Sequence, residues 1–140
     1  MTIRLSERAS ADIRAHTQNA YPEEGAGFLL GREQGQVRII EAALPQSNEF
    51  DADQRLRRYM IEPGDMLAAE EYADEHGFDI LGIFHSHPNH PPVPSSFDLE
   101  WALPWFSYLI ISVQNGEAVE SRCWRLNDDR TGFIEEDRHY

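Results

Sequence analysis

Apolar residues along this chain follow two spacings, and the points where one gives way to the other mark its elements. Residues 6–19 carry apolar positions at helical spacing, with Ser6 as the capping candidate. Residues 25–33 and 36–44 read as two strands around a tight turn at Gly35. Residues 47–56 are polar and read as a loop, and 57–62 as a short strand. Residues 63–76 read as a helix, with Pro63 at the start and Gly77 just past the end. The apolar run 78–84 reads as a buried strand that continues to Pro88, where the missing N–H ends it. A short helix over 96–102 and a strand over 107–113 follow. Asn115-Gly116 is a hairpin turn into a strand over 117–126. Asn127-Asp128-Asp129 is another turn, and 132–136 a final edge strand. This order predicts an α+β fold, a mostly antiparallel sheet flanked by helices, in a single domain spanning residues 1–140.

The predicted strand over 78–88 ends in His85-Ser86-His87-Pro88. Residues i and i+2 of a strand project to one face, so both imidazoles can reach one ion. Residues 88–94 hold Pro88, Pro91, Pro92 and Pro94, a stiff return at low entropic cost. Ser95 and Asp98 then suit the N-cap and N3 positions of a helix. Each feature has a plain reading: polar residues at a strand end, and a capping box. Together they offer His85, His87 and Asp98 as three ligands for a hydrolytic metal, with a fourth position left for water. His90 lies in the loop and reads as solvated. Trp101, Trp105 and Phe106 follow; they read as core packing or a helix–sheet contact or, functionally, as a wall of a substrate groove.

His85-x-His87-x(10)-Asp98, with Pro94-Ser95 ahead of the aspartate, resembles the motif of the JAMM metalloproteases, the catalytic MPN-plus branch of the MPN domain. The stretch from Tyr21 through Glu23, Glu24 and Gly27 to Gly31 is similar to that family's first active-site strand. Leu81-Gly82-Ile83-Phe84 is similar to its lead-in to the histidines, and 107–113 to the strand after the aspartate. The resemblance implies an α+β MPN/JAMM-like fold and zinc held by His85, His87 and Asp98. It implies Glu24 as general base and Ser95 as oxyanion stabiliser. Glu23 and Glu24 are adjacent and face opposite ways if both lie on a strand, so only one can face the metal. Position relative to Gly27 favours Glu24. Ala26 stands where the family often has cysteine, a substitution that keeps a small buried group. The implied reaction is hydrolysis of a peptide or isopeptide bond after the C-terminal Gly-Gly of a ubiquitin-like protein. Its extended tail would lie along an exposed strand edge. Only 42 residues follow Asp98, and core elements use nearly all of them. That resembles the compact bacterial members, which trim small sulfur-carrier proteins. A zinc amidase acting on a small substrate and a non-catalytic MPN scaffold are the competing readings.

Composition narrows the partners. The net charge is −13, and all twelve basic residues are arginine. Such acidity argues against a nucleic-acid grip and an anionic membrane surface. No run approaches the roughly 18 apolar residues of a membrane span. The N-terminal residues lack the apolar core of a signal peptide. Cys123 stands alone, so it has no internal disulfide partner and reads as a buried strand residue. These features point to the cytoplasm.

Overall fold

The computed structural model describes residues 2–46 and 63–139, and in them the two spacings resolve into seven strands and three helices. The loop expected at 47–56 and the strand expected at 57–62 lie outside the described residues. The strands are β1 Thr2–Leu5, β2 Ala26–Gln34, β3 Val37–Gln46, β4 Asp79–Pro88, β5 Ser107–Gln114, β6 Glu117–Leu126 and β7 Phe133–His139. The helices are α1 Glu7–Ala20, α2 Pro63–His76 and α3 Ser96–Trp101.

Local chemistry sets most of these limits. Ser6 Oγ accepts the Ala9 N–H at 3.1 Å, the expected cap of α1. The β5–β6 hairpin turns at Asn115 (φ 52°) and Gly116 (φ 85°), the left-handed pair that a two-residue turn requires. Pro88 ends β4, as its missing donor demands.

Two expectations are corrected at the ends of the chain. β1 has no counterpart in the sequence reading, because four residues with two inward positions, Ile3 and Leu5, are too short to show a period. β1 lies parallel between β3 and β7 and closes the order β1-β3-β2-β4-β5-β6-β7 into a barrel. β7 is therefore not an edge strand: it pairs with β6 on one side and β1 on the other. Among the described residues no strand is an open edge along its whole length, so the edge-docking mode has no full-length strand to use. Four ladders are antiparallel, and β1–β3, β1–β7 and β4–β5 are parallel. The fold is α+β with a mixed sheet.

The core forms two layers. Ile13 of α1 packs with Leu29, Phe84, Leu109 and Ile111. Ala69 and Ala73 of α2 pack with Phe28, Leu30, Ile83 and Tyr108. β4 alternates between them with one irregularity. Leu29 pairs with Gly82, but Leu30 pairs with Ile80, so Leu81 is an extra, bulged residue. Past the bulge, Ile83 faces the α2 layer and Phe84 the α1 layer. His85 and His87 continue the Ile83 face, and Ser86 the Phe84 face.

The sequence reading did not anticipate a fully buried arginine. Arg38 Nη1 donates to the Leu81 carbonyl at 3.2 Å and to Ser107 Oγ at 2.8 Å, and its Nε bonds Glu33 at 3.0 Å. Ser107 Oγ donates in turn to the buried Glu136 at 2.8 Å. The guanidinium also lies 4.1 Å from the Trp105 ring centroid, a cation–π contact. Core packing therefore fails as the account of Trp105 and Trp101, which are 46% and 59% exposed; Phe106 alone of the three packs against the α2 layer. Trp105 instead covers the buried Arg38 guanidinium, and Trp101 lies against Phe97.

Candidate metal centre

β4 carries His85 and His87 to its C-terminal end on one face, where the proline loop returns Asp98 to them. The three side chains converge. His85 Nε2 is 3.2 Å from His87 Nε2 and 3.2 Å from Asp98 Oδ1, and His87 Nε2 is 3.1 Å from Asp98 Oδ2. Ligands placed tetrahedrally at 2.0–2.1 Å from one ion stand about 3.3 Å apart. The triangle therefore has the spacing of three ligands of a single ion, and its N, N, O donor set suits zinc and other divalent metals.

Outer contacts aim these atoms. His87 Nδ1 lies 3.0 Å from the Pro91 carbonyl, which can only accept, so an Nδ1–H can donate there while Nε2 faces the triangle. Trp124 Nε1 donates to the Pro92 carbonyl at 3.0 Å, and Ser112 Oγ to the His90 carbonyl at 2.6 Å. These bonds tie the loop to β5 and β6. His90 is exposed, as expected of a solvated loop residue.

Asp98 meets its capping reading and stands beside both histidines. It is the N3 residue of α3, and the capping box with Ser95 is complete. Ser95 N–H donates to Asp98 Oδ2 at 2.8 Å, and Asp98 N–H to Ser95 Oγ at 3.1 Å. Asp98 is 6% exposed. Burial by itself would raise its pKa. The charge of His85, hydrogen bonds from both histidines and the Ser95 N–H outweigh that and hold it well below the usual carboxylate range. For His85, fully buried, desolvation prevails over the attraction of Asp98, and its pKa is lowered.

Glu24 and Glu23 precede β2 rather than lying on it. Glu24 is 3% exposed, and one carboxylate oxygen lies within 4.8 Å of ligand atoms of His85 and His87. The reason is visible at Gly25. A Cβ there would meet Ala20 and Thr17 of α1 at 3.1 and 3.3 Å, so Gly25 faces α1. Its neighbours Glu24 and Ala26 project to the other side, where Ala26 pairs directly with His85. Glu23 is only half-buried. Two acidic groups thus flank the histidines, Asp98 at 3.1–3.2 Å and Glu24 within 4.8 Å. Ser95 is exposed at the start of α3, joined to the triangle through Asp98.

The sequence pointed to all five of these side chains. It did not point to the Pro91 carbonyl, Trp124 or Ser112, whose roles arise from contacts across the fold. The four prolines were the one available signal that this loop had to be held.

With the geometry in view, the comparisons are specific. Residues 6–127 match the family model of prokaryotic homologues of the JAB domain. The chain belongs to that family. A desampylase of Pyrococcus furiosus is 36% identical over 107 residues, 75% of this chain and 68% of that protein. A probable TtuB-protein conjugate cleaving protease of Thermus thermophilus is 32% identical over 97 residues, 67% of this chain and 61% of that protein. The chain thus spans about two thirds of the length of these relatives. Protein DSY2949 of Desulfitobacterium hafniense, a solution structure, superposes with a TM-score of 0.83 at 33% identity, covering 97% of this chain and 90% of that one. AF2198 of Archaeoglobus fulgidus, a JAB1/MPN domain protein, superposes over the full length of both chains with a TM-score of 0.58 at 18% identity, a likeness of fold. Among the described residues no helix is long and apolar enough to cross a membrane.

Proposed function

We propose that this chain is a zinc-dependent peptidase of the JAMM type. It hydrolyses the peptide or isopeptide bond that follows the C-terminal Gly-Gly of a ubiquitin-like or sulfur-carrier protein. The observation that carries the reading is the 3.1–3.2 Å triangle of His85, His87 and Asp98 with the buried Glu24 beside it. The names of the two relatives, a desampylase and a protease of TtuB conjugates, support the substrate class. We read residues 1–140 as one domain acting in the cytoplasm, where a lone buried thiol such as Cys123 stays reduced.

His85, His87 and Asp98 are assigned as the ligands, because they have the contact spacing of a single coordination sphere. A divalent ion held there supplies an acidified water and polarises the scissile carbonyl. Glu24 takes the proton released as the nucleophile attacks and delivers it to the departing amine. Ser95 Oγ accepts the Asp98 N–H, an arrangement that leaves its own O–H to donate to the developing oxyanion. The buried His85, Asp98 and Glu24 keep the reaction partly dry, so these dipoles act at reduced dielectric.

The test is mass spectrometry of a sulfur carrier bearing one residue beyond its Gly-Gly, run with zinc-loaded enzyme, chelated enzyme and two variants. Zinc-loaded enzyme is expected to release the extra residue and chelated enzyme to leave it. Glu24→Gln should keep the metal and lose roughly 10²–10⁴ in rate, the usual contribution of a general base. His87→Ala should lose the metal itself. Zinc-loaded enzyme that cleaves no Gly-Gly-extended carrier or conjugate would refute the substrate assignment.

A further inference from the structure

We propose that Ser86 positions Glu24, gripping the base's neighbour from the face of β4 opposite the histidines; this deepens the function proposed above and rests on it. Ser86 lies between His85 and His87 and is fully buried, but its side chain faces the α1 layer. Its Oγ accepts the Gly25 N–H at 2.8 Å, and its own N–H donates to the Gly25 carbonyl at 2.9 Å. One residue therefore holds both backbone polar groups of Gly25.

The arrangement comes where the regular ladder stops. Ala26–His85 is the last paired position of β2 and β4. A continued antiparallel ladder would send the Gly25 N–H to a backbone carbonyl. It goes to a side-chain hydroxyl instead, and the chain before it leaves the sheet. On its other side Gly25 is pressed against Ala20 and Thr17, with no room for a Cβ at ordinary distance. Gly25 is thus fixed between α1 and Ser86, and one peptide unit away is Glu24, which no ladder holds.

Three consequences separate this role from metal binding. The ligands lie on the other face of β4, so loss of the hydroxyl leaves them in place. The Gly25 end of the Glu24 segment loses an anchor. Displacing a reacting group by about 1 Å can cost 10²-fold in rate while substrate contacts persist. Ser86 is therefore a positioning residue for the proton-transfer step.

The experiment compares the full chain with Ser86→Ala, Ser86→Thr and Ser86→Val. Threonine and valine have the same shape, so any strain from the added methyl appears in both, and only the hydroxyl separates them. Amide exchange on metal-free protein should find the Gly25 N–H protected in wild type and Ser86→Thr, and unprotected in Ser86→Ala and Ser86→Val. Zinc affinity, from chelator competition, should stay about the same in all four. On a Gly-Gly-extended carrier, Ser86→Ala and Ser86→Val should lose about 10- to 100-fold in kcat with little change in KM, and Ser86→Thr should recover most of it. Wild-type kcat in Ser86→Val, or equal losses in the threonine and valine variants, overturns the inference. Wild-type protein that binds zinc but cleaves no carrier overturns the proposed function, and this inference with it. An active wild type with equally active Ser86→Ala overturns this inference alone.

Discussion

Asp98 shows at a single residue that the two readings the sequence offers, a helix cap and a metal ligand, are geometrically compatible. Its Oδ2 takes the Ser95 N–H while both oxygens face the histidines, so the capping box orients the carboxylate for the triangle. The roles are compatible because an ionised carboxylate offers about four acceptor positions. Glu24 was separable from Glu23 by family resemblance, and the structure adds the physical cause, the packing of Gly25 on α1. The acid response of the metal-free protein follows from the histidines. Burial lowers the pKa of both His85 and His16 below 6.5. In the unfolded chain the same rings take up protons near pH 6.5, so below about that value the unfolded state binds more protons and stability falls. Asp98, held low, contributes only nearer its unfolded value of 3.8, where its stabilisation is lost as pH falls further. Urea unfolding of metal-free protein should therefore give a lower free energy at about pH 5.5 than at about pH 7.5, with His85→Gln reducing the slope. A flat profile across that interval would contradict the assignment of buried neutral imidazoles.

At the scale of elements, the limits of α2, β4, β6 and the α3 cap were legible because Pro, Gly, Asn-Gly and Ser-x-x-Asp act locally. The face on which β4 presents its histidines was not. Strict alternation from Ile80 would put Gly82, Phe84 and Ser86 on its side of the sheet. The bulge at Leu81 reverses this and places Ile83, His85 and His87 there instead. The Leu81 carbonyl at the bulge is taken by Arg38, 43 positions earlier in the chain. Gly82, the next residue, makes the close approach to β5 possible: a Cβ there would stand 1.9 Å from the Ser107 carbonyl oxygen. Gly82→Ala is thus expected to force β4 from β5 and to cost at least about 1–3 kcal/mol, the range for overpacking a well-packed site. Denaturant titration together with zinc stoichiometry checks this, and both should fall. Unchanged stability and a full complement of zinc would mean that β4 can shift without consequence for the site.

For the whole molecule, closure and charge matter most. β1 joins β3 to β7, tying the first described residues to the last and leaving the acidic chain as one closed layer around its core. A net charge of −13 at 140 residues puts self-repulsion on that compact state. Raising the salt from about 0.1 M to about 1 M shortens the Debye length from about 10 Å to about 3 Å, so the melting temperature should rise by several degrees. Calorimetry of the metal-free protein in sodium chloride checks it, and a fall would show that screened ion pairs such as Arg32–Glu41 outweigh the repulsion. The sequence by itself determined the α+β class and most element limits, and with the family resemblance it pointed to the five side chains of the candidate centre. Those depend on local backbone chemistry and on a motif whose spacing is read along the chain. Only the tertiary structure decided the closed barrel, the buried Arg38, the face of the histidines, the exposure of Trp101 and Trp105, and the grip of Ser86 on Gly25. Each of these is a contact between residues far apart in sequence or a property of the folded surface, and neither leaves a period or a local signal for a single chain to display.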